Sequence, residues 1–339
     1  MTKVLVLSVL VSVGFTLFAM TSYAEEKIGR PVRIVSLSFS GEPFEKIAAL
    51  VDEEAAKGAD LIALPEAWSG DKVEALDGPA VTAMAGLAKK HRAYIVSPIL
   101  RKDGHKTYNS SVLLDRDGKV ACLYDKVYPF WGEMMVHRDL ELGKEAPVYQ
   151  ADFGKIGFAI CFDANFPEVW KRLADQGAEL VIFSSAYSAG STLQAHALIN
   201  HFYIVSSTLK RDCLVYDITG EKILDEKSGG INVSRVTLDL DRTIHHVDFN
   251  DGKKEKLLKE HADDVALDKW LPREAWFVFK AKRPGVSARA LVREYGIEEL
   301  RDYIDRSRRE IDKRRGSRLP ERNGNAAGGL RRRSRRSRT

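Results

Sequence analysis

Val32-Arg33-Ile34-Val35-Ser36-Leu37, Phe44-Glu45-Lys46-Ile47-Ala48-Ala49-Leu50-Val51 and Asp60-Leu61-Ile62-Ala63-Leu64-Pro65 are the segments whose reading decides the fold. The first, within residues 31–39, is a short apolar run of the kind that forms a buried strand. In the second, Phe44, Ile47, Ala48, Leu50, Val51 and Ala55 recur at helical spacing, and Gly58 follows as a terminator. The third is an apolar strand closed by a proline. A helix between two strands predicts parallel pairing, because a parallel crossover needs such a connection.

Outward from this unit the pattern continues with variations. A helix is expected over 79–92 and a strand over 93–100. Residues 108–115 and 119–124 form a hairpin around Arg116-Asp117-Gly118, where Asp-Gly favours a tight turn. Further strands are expected at 155–160, 179–184, 203–208, 213–218 and 233–240, with helices at 167–176 and 192–201. Strands outnumber helices, and the mixture predicts an α/β fold in which two sheets carry helices on their outer faces. Beyond Asp241 the chain changes character. Residues 245–264 are charged and carry no clear period. Trp270, Leu271, Trp276, Phe277, Val278 and Phe279 are too apolar to lie free in water, and 288–314 has amphipathic helical spacing. Residues 246–312 therefore read as an ordered extension packed on the domain formed by 31–245.

The two ends differ from the body. Lys3, the apolar run from Val4 to Met20, and small residues at Ser22 and Ala24 predict a secretory signal peptide over 1–24, hence export to a periplasmic or extracellular space. A retained membrane anchor is the alternative, for a run at the short edge of what spans a bilayer. From Arg306 onward, fourteen Lys/Arg face only Glu310, Asp312 and Glu321, a net of +11 within a chain of +5; with Lys3 set aside, the stretch 25–305 carries −7. The folded body is thus mildly acidic. The tail 313–339, with its glycines and Arg331-Arg332-Arg333-Ser334-Arg335-Arg336, reads as disordered. It is suited to an anionic surface, without specific nucleic-acid recognition. Three cysteines, Cys122, Cys161 and Cys213, leave at least one thiol unpaired.

Reactive residues stand at three strand ends: Glu66 after 61–65, Lys126 after 120–125 and Cys161 after 156–160. Ligands collect beyond the carboxyl ends of parallel strands. Taken singly, each also fits an ordinary place: a loop carboxylate, an exposed lysine, a packed core thiol. Together, Leu64-Pro65-Glu66, Tyr124-Asp125-Lys126-Val127-Tyr128 with Gly132-Glu133, and Gly157-Phe158-Ala159-Ile160-Cys161-Phe162-Asp163-Ala164-Asn165-Phe166-Pro167-Glu168 resemble the glutamate, lysine and cysteine segments of the nitrilase superfamily of carbon–nitrogen hydrolases, in the family's order. Tyr108-Asn109-Ser110, Ala197 and Asn200 fit lesser positions of that pattern.

The resemblance, which covers about residues 31–245, implies a four-layer αββα sandwich followed by the helical C-terminal extension, and homo-oligomeric assembly. It implies a cysteine-dependent, cofactor-free amidase-type hydrolase of non-peptide carbon–nitrogen bonds that releases ammonia or an amine through a thioester. Cys161 would be the nucleophile and Glu66 the general base. Lys126, with the Phe162 N–H, would stabilise the oxyanion, and Glu133 would hold Lys126 or the leaving amine. A nitrilase or N-carbamoyl hydrolase, an acyltransferase, or a silent binding scaffold would carry the same residues, so the substrate is a small amide, nitrile or carbamoyl compound. Asn165 departs from the pattern, since amidase-like members carry arginine there. No metal is expected: His245, His246 and His261 lack the spacing of a helical metal motif, and there is no Cys-x-x-Cys pair or Gly-rich phosphate loop.

Overall fold

The structure, a computed structural model, describes residues 27–316. The expected signal peptide over 1–24 and the expected disordered tail beyond Gly316 lie outside the described residues.

The opening unit folds as its sequence dictates. Strand Pro31–Ser38 pairs in parallel with Leu61–Ala63, aligning Ile34 with Leu61 and Ser36 with Ala63, and helix Phe44–Ala56 crosses between them. Both faces of these strands are apolar because both are covered. Val32, Ile34, Leu61 and Ala63 point into the core between the sheets, while Val35, Leu37, Ile62 and Leu64 meet Ile47, Val51, Ala80 and Met84 of the outer helices.

The first sheet has seven strands. Its main path runs Asn232–Asp239, Pro31–Ser38, Leu61–Ala63, Tyr94–Asp103, Lys106–Leu114 and Val120–Asp125, and Val73–Glu74 pairs with Tyr94–Asp103 off that path. The second has six, in the order Lys222–Lys227, Asp212–Tyr216, Tyr203–Thr208, Leu180–Ser185, Gly154–Ile160 and Tyr149–Ala151. Helices Phe44–Ala56 and Pro79–His91 cover one outer face; Pro167–Asp175 and Gly190–Asn200 lie on the other sheet. The result is a four-layer αββα sandwich.

Hydroxyls cross the gap between the sheets. Ser36 Oγ donates to the Ser206 carbonyl at 2.7 Å, Ser207 Oγ to Leu37 at 2.6 Å and Ser184 Oγ to Leu64 at 2.9 Å. Their small size lets the layers approach while each of these three hydroxyls keeps a partner.

The C-terminal part departs from the expected helical extension. A three-stranded antiparallel sheet, Thr243–His246, Trp276–Ala281 and Val265–Leu271, follows the sandwich, and the last helices pack against both it and the sandwich. The apolar stretch 270–281 is thus mostly strand. Its core is Phe277, Phe279, Val265, Leu257, Val292 and Ile297. Thr243–His246 runs across the expected boundary at 245, because its hydrogen bonds go to the new sheet. The expected helix over 288–314 is two, Ala288–Glu294 and Leu300–Arg315, separated where Gly296 adopts φ +61°. The second continues past 312, so residues 313–315 belong to it and not to the tail.

Candidate active site

Three strand ends meet at one rim of the sandwich. Leu61–Ala63 leads to Glu66 and Val120–Asp125 to Lys126 in one sheet; Gly154–Ile160 delivers Cys161 from the other. All three side chains are buried in the site, Lys126 at 1% exposure, Glu66 at 6% and Cys161 at 8%.

Lys126 is held between two carboxylates. Its Nζ donates to Glu66 Oε1 at 2.8 Å and to Glu133 Oε2 at 2.6 Å. Asn109 closes the ring: its Nδ2 donates to Glu66 Oε1 and Glu133 Oε1, each at 2.8 Å. Asn109 Oδ1 has no partner among the described residues, the cost of aiming both N–H bonds at carboxylates. The other Glu66 oxygen, Oε2, accepts from the Ala186 N–H at 2.9 Å, and Glu133 Oε2 also accepts from Phe130 N at 2.8 Å. Burial opposes the charge of Lys126, but Glu66, Cys161 and Glu133 outweigh it, and its pKa is raised.

Cys161 sits where the strand turns sharply into the short 3-10 helix Cys161–Asn165, with φ +48°. A non-glycine residue in this region costs about 1–3 kcal/mol, strain that clusters at functional sites. Burial, and then the Glu66 carboxylate, push the thiol up to about 12, against the pull of Lys126, the Ala186 N–H and the Ser185 hydroxyl. The resting sulfur is therefore a thiol beside a carboxylate, and it needs a base before it can attack. The other thiols differ. Burial, with Glu226 and Asp212 beside Cys213, pushes Cys122 and Cys213 to about 11 with no ammonium opposing it, and all three cysteines are free.

Cys161, Glu66, Glu133, Asn109 and Phe162 line one open cavity of about 370 Å³, with Lys126 bonded to two of them. The size suits a small molecule. Glu66, Glu133, Cys161 and Phe162 are thus brought to this cavity and Lys126 to its wall, whereas Tyr108, Ala197 and Asn200 do not line it. Asn165 is not in the lining. Its Nδ2 donates to the Phe162 carbonyl and the Tyr187 hydroxyl, each at 3.2 Å.

Two features escaped the sequence reading. The buried Asp163 accepts from Tyr124 OH at 2.6 Å, Ile160 N at 2.9 Å and Tyr128 N at 2.9 Å, tying the lysine segment to the cysteine segment. Burial raises its pKa to about 6 despite those bonds. Ser185, Ala186 and Tyr187 form a further wall at the end of Leu180–Ser185. The strand-end rule that singled out Glu66, Lys126 and Cys161 applies equally there. Among the described residues, no group of three or more His, Cys, Asp or Glu side chains converges as a metal site, and no helix is long and apolar enough to cross a membrane.

The sequence profile of the family described as "Carbon-nitrogen hydrolase" matches residues 40–245, more than half of the chain. The chain belongs to the carbon–nitrogen hydrolase family. Among the relatives of this hydrolase, a deaminated glutathione amidase of Synechocystis sp. is 29% identical over 196 residues, covering 49% of this chain and 71% of that protein. An omega-amidase of Xenopus laevis is 25% identical over 189 residues, covering 49% and 68%. The fold is that of Saccharomyces cerevisiae Nit3, a nitrilase-superfamily member, with TM-score 0.56 and 20% identity over 66% of this chain and 95% of that one. An amidase from Nesterenkonia sp. superposes with TM-score 0.53 and 20% identity, covering 63% and 91%.

Proposed function

We propose that this carbon–nitrogen hydrolase is an amidase that works through a thioester on Cys161. The reading rests on one observation: the thiol, the Glu66 carboxylate and the Lys126 ammonium converge on a single small-molecule cavity. In acylation Glu66 accepts the thiol proton as sulfur attacks the amide carbon. The oxyanion that forms is stabilised by Lys126 and by the N–H of Phe162, in the first turn of Cys161–Asn165, where helical N–H groups lack partners within the helix. Glu66 then gives its proton to the departing nitrogen, the carbon–nitrogen bond breaks, and ammonia or an amine leaves. In the second half Glu66 takes a proton from water, hydroxide adds to the thioester, and the thiolate departs and is reprotonated, releasing the acid. Glu133 and Asn109 position Lys126 and Glu66. No cofactor enters these steps.

The names of the amidase relatives support amide over nitrile substrates. Homo-oligomerisation belongs to the same proposal, supported by the exposed side chains of Trp131, Met135, Val136 and Ile199, which a partner subunit would cover. So do the hydrolase domain over 31–245, export directed by residues 1–24, and the basic tail as a contact for anionic surfaces. The test is Cys161→Ala: ammonia release from a genuine amide substrate should fall by about four orders of magnitude or more, with the melting transition retained. Normal turnover by the alanine variant would overturn the reading.

A further inference from the structure

The charge of the cavity bears on what it accepts. Besides Glu66 and Glu133, its lining holds a third carboxylate, Asp71, which is exposed and forms no ion pair among the described residues. Lys126, the one buried ammonium at the site, already donates to two carboxylates. Among the described residues, the one basic side chain in the lining itself is the His137 imidazole, and no arginine or lysine side chain lines it. Asn165, neutral and turned toward Tyr187, adds no charge. A substrate thus meets three carboxylates against one committed cation, in walls that also hold Leu100, Phe130, Phe162, Tyr187 and Leu209. Phe130 and Phe162 meet edge to face at 5.8 Å, presenting aromatic surface.

Two terms follow. Apolar walls reward an acyl group that sheds water on entering. A carboxylate on the substrate has no unengaged cation to meet among the described residues and faces like charges in a partly desolvated space. We propose that the pocket selects uncharged amides with an apolar acyl group and excludes amides that bear an anionic carboxylate. This rests on the amidase reading of the same site and adds the substrate class. It separates this chain from any relative that holds a substrate carboxylate with a dedicated cation.

Three amides of equal chain length test it: hexanamide, the monoamide of adipic acid, and ω-aminohexanamide. They are assayed with the full-length wild-type enzyme near about pH 8, where histidine side chains are ordinarily neutral. The kcat/KM for hexanamide should exceed that for the anionic amide by about 100-fold, with the cationic amide between them. Values for the anionic and neutral amides within about threefold of each other would overturn the proposal. Binding supplies a readout independent of turnover: protection of Cys161 from iodoacetamide, followed by mass spectrometry, should be given by hexanamide and not by the anion. If no amide is hydrolysed and this order of protection holds, the hydrolase reading fails while the pocket assignment stands. If the anion is hydrolysed best, the reverse is true. Replacing the third carboxylate, Asp71→Lys, should raise the anionic-to-neutral ratio of kcat/KM by about tenfold; an unchanged ratio would remove Asp71 from the selection.

Discussion

Two largely buried cations in this molecule each lie between a pair of carboxylates. Lys126 lies between Glu66 and Glu133 at the cavity. Arg242 lies between Asp217 and Asp268, where the sandwich meets the C-terminal sheet, with Nε donating to Asp268 at 2.9 Å and Nη1 to Tyr203 OH at 2.6 Å. Both cations are flanked by two carboxylates and further hydrogen-bonded, as a buried charge must be. The difference is what adjoins them. Beside Lys126 are a cavity of about 370 Å³ and a cysteine with a left-handed backbone. The void lined by Arg242 measures about 20 Å³, room for a single water. A buried ion triad is therefore not itself a sign of catalysis. A substrate-sized cavity and a cysteine in a strained conformation beside it are what set the Lys126 triad apart as the candidate site.

The sharpest way to break the comparison is to remove each cation. Lys126→Met should lower kcat/KM by about a thousandfold or more, since it removes the proposed oxyanion donor and leaves Glu66 and Glu133 without the cation between them. Arg242→Met should instead cost about 3–5 kcal/mol of stability, read from the urea midpoint, and leave kcat/KM of the folded enzyme within about threefold. If Arg242→Met abolished turnover at full stability, the division between the two triads would be wrong.

Acid provides a smaller perturbation, part of which falls on the junction. His201 is pushed down to about 4 by burial, and His245 likewise to about 4. His201 meets Trp276 edge to face, and His245 stacks on Phe277, so both are held neutral against the C-terminal sheet. The unfolded chain binds protons at these groups below about pH 6.5 while the folded chain does not, so stability is lost as pH falls from there toward 4. From about pH 8 to 5.5 the two together should lose about 2–3 kcal/mol. A His201→Gln, His245→Gln double variant should show a shallower loss over that interval; an unchanged slope would assign it elsewhere.

Much of this architecture was legible because its signals are local. Ile34 and Val35 are both apolar, which marks a strand covered on two sides, and Gly58 and Gly177 stop their helices. The candidate site was proposed because the segments around Glu66, Lys126 and Cys161 together resemble three family motifs, and the structure brings those residues to one cavity. The C-terminal sheet was not. In Val265–Leu271 a register shift between Leu267 and Lys269 breaks the alternation, and Asp268 is drawn inward by Arg242. Strand Lys222–Lys227 reads as a charged loop since almost all of it is exposed, and pairing with Asp212–Tyr216 alone makes it a strand. His245 looks like a surface residue in sequence and is fully buried, its ring nitrogens engaged by the Glu298 carbonyl and Thr243 Oγ1. Each of these depends on a partner distant in the chain.

The central claim is a covalent acyl group on Cys161, and partitioning tests it most directly. Wild-type enzyme is offered hexanamide, hexananilide and ethyl hexanoate, each with hydroxylamine present, and the ratio of hydroxamate to free acid is measured. One thioester common to all three predicts one ratio regardless of the leaving group, and no hydroxamate from Cys161→Ala. A ratio that changes with the leaving group would contradict it.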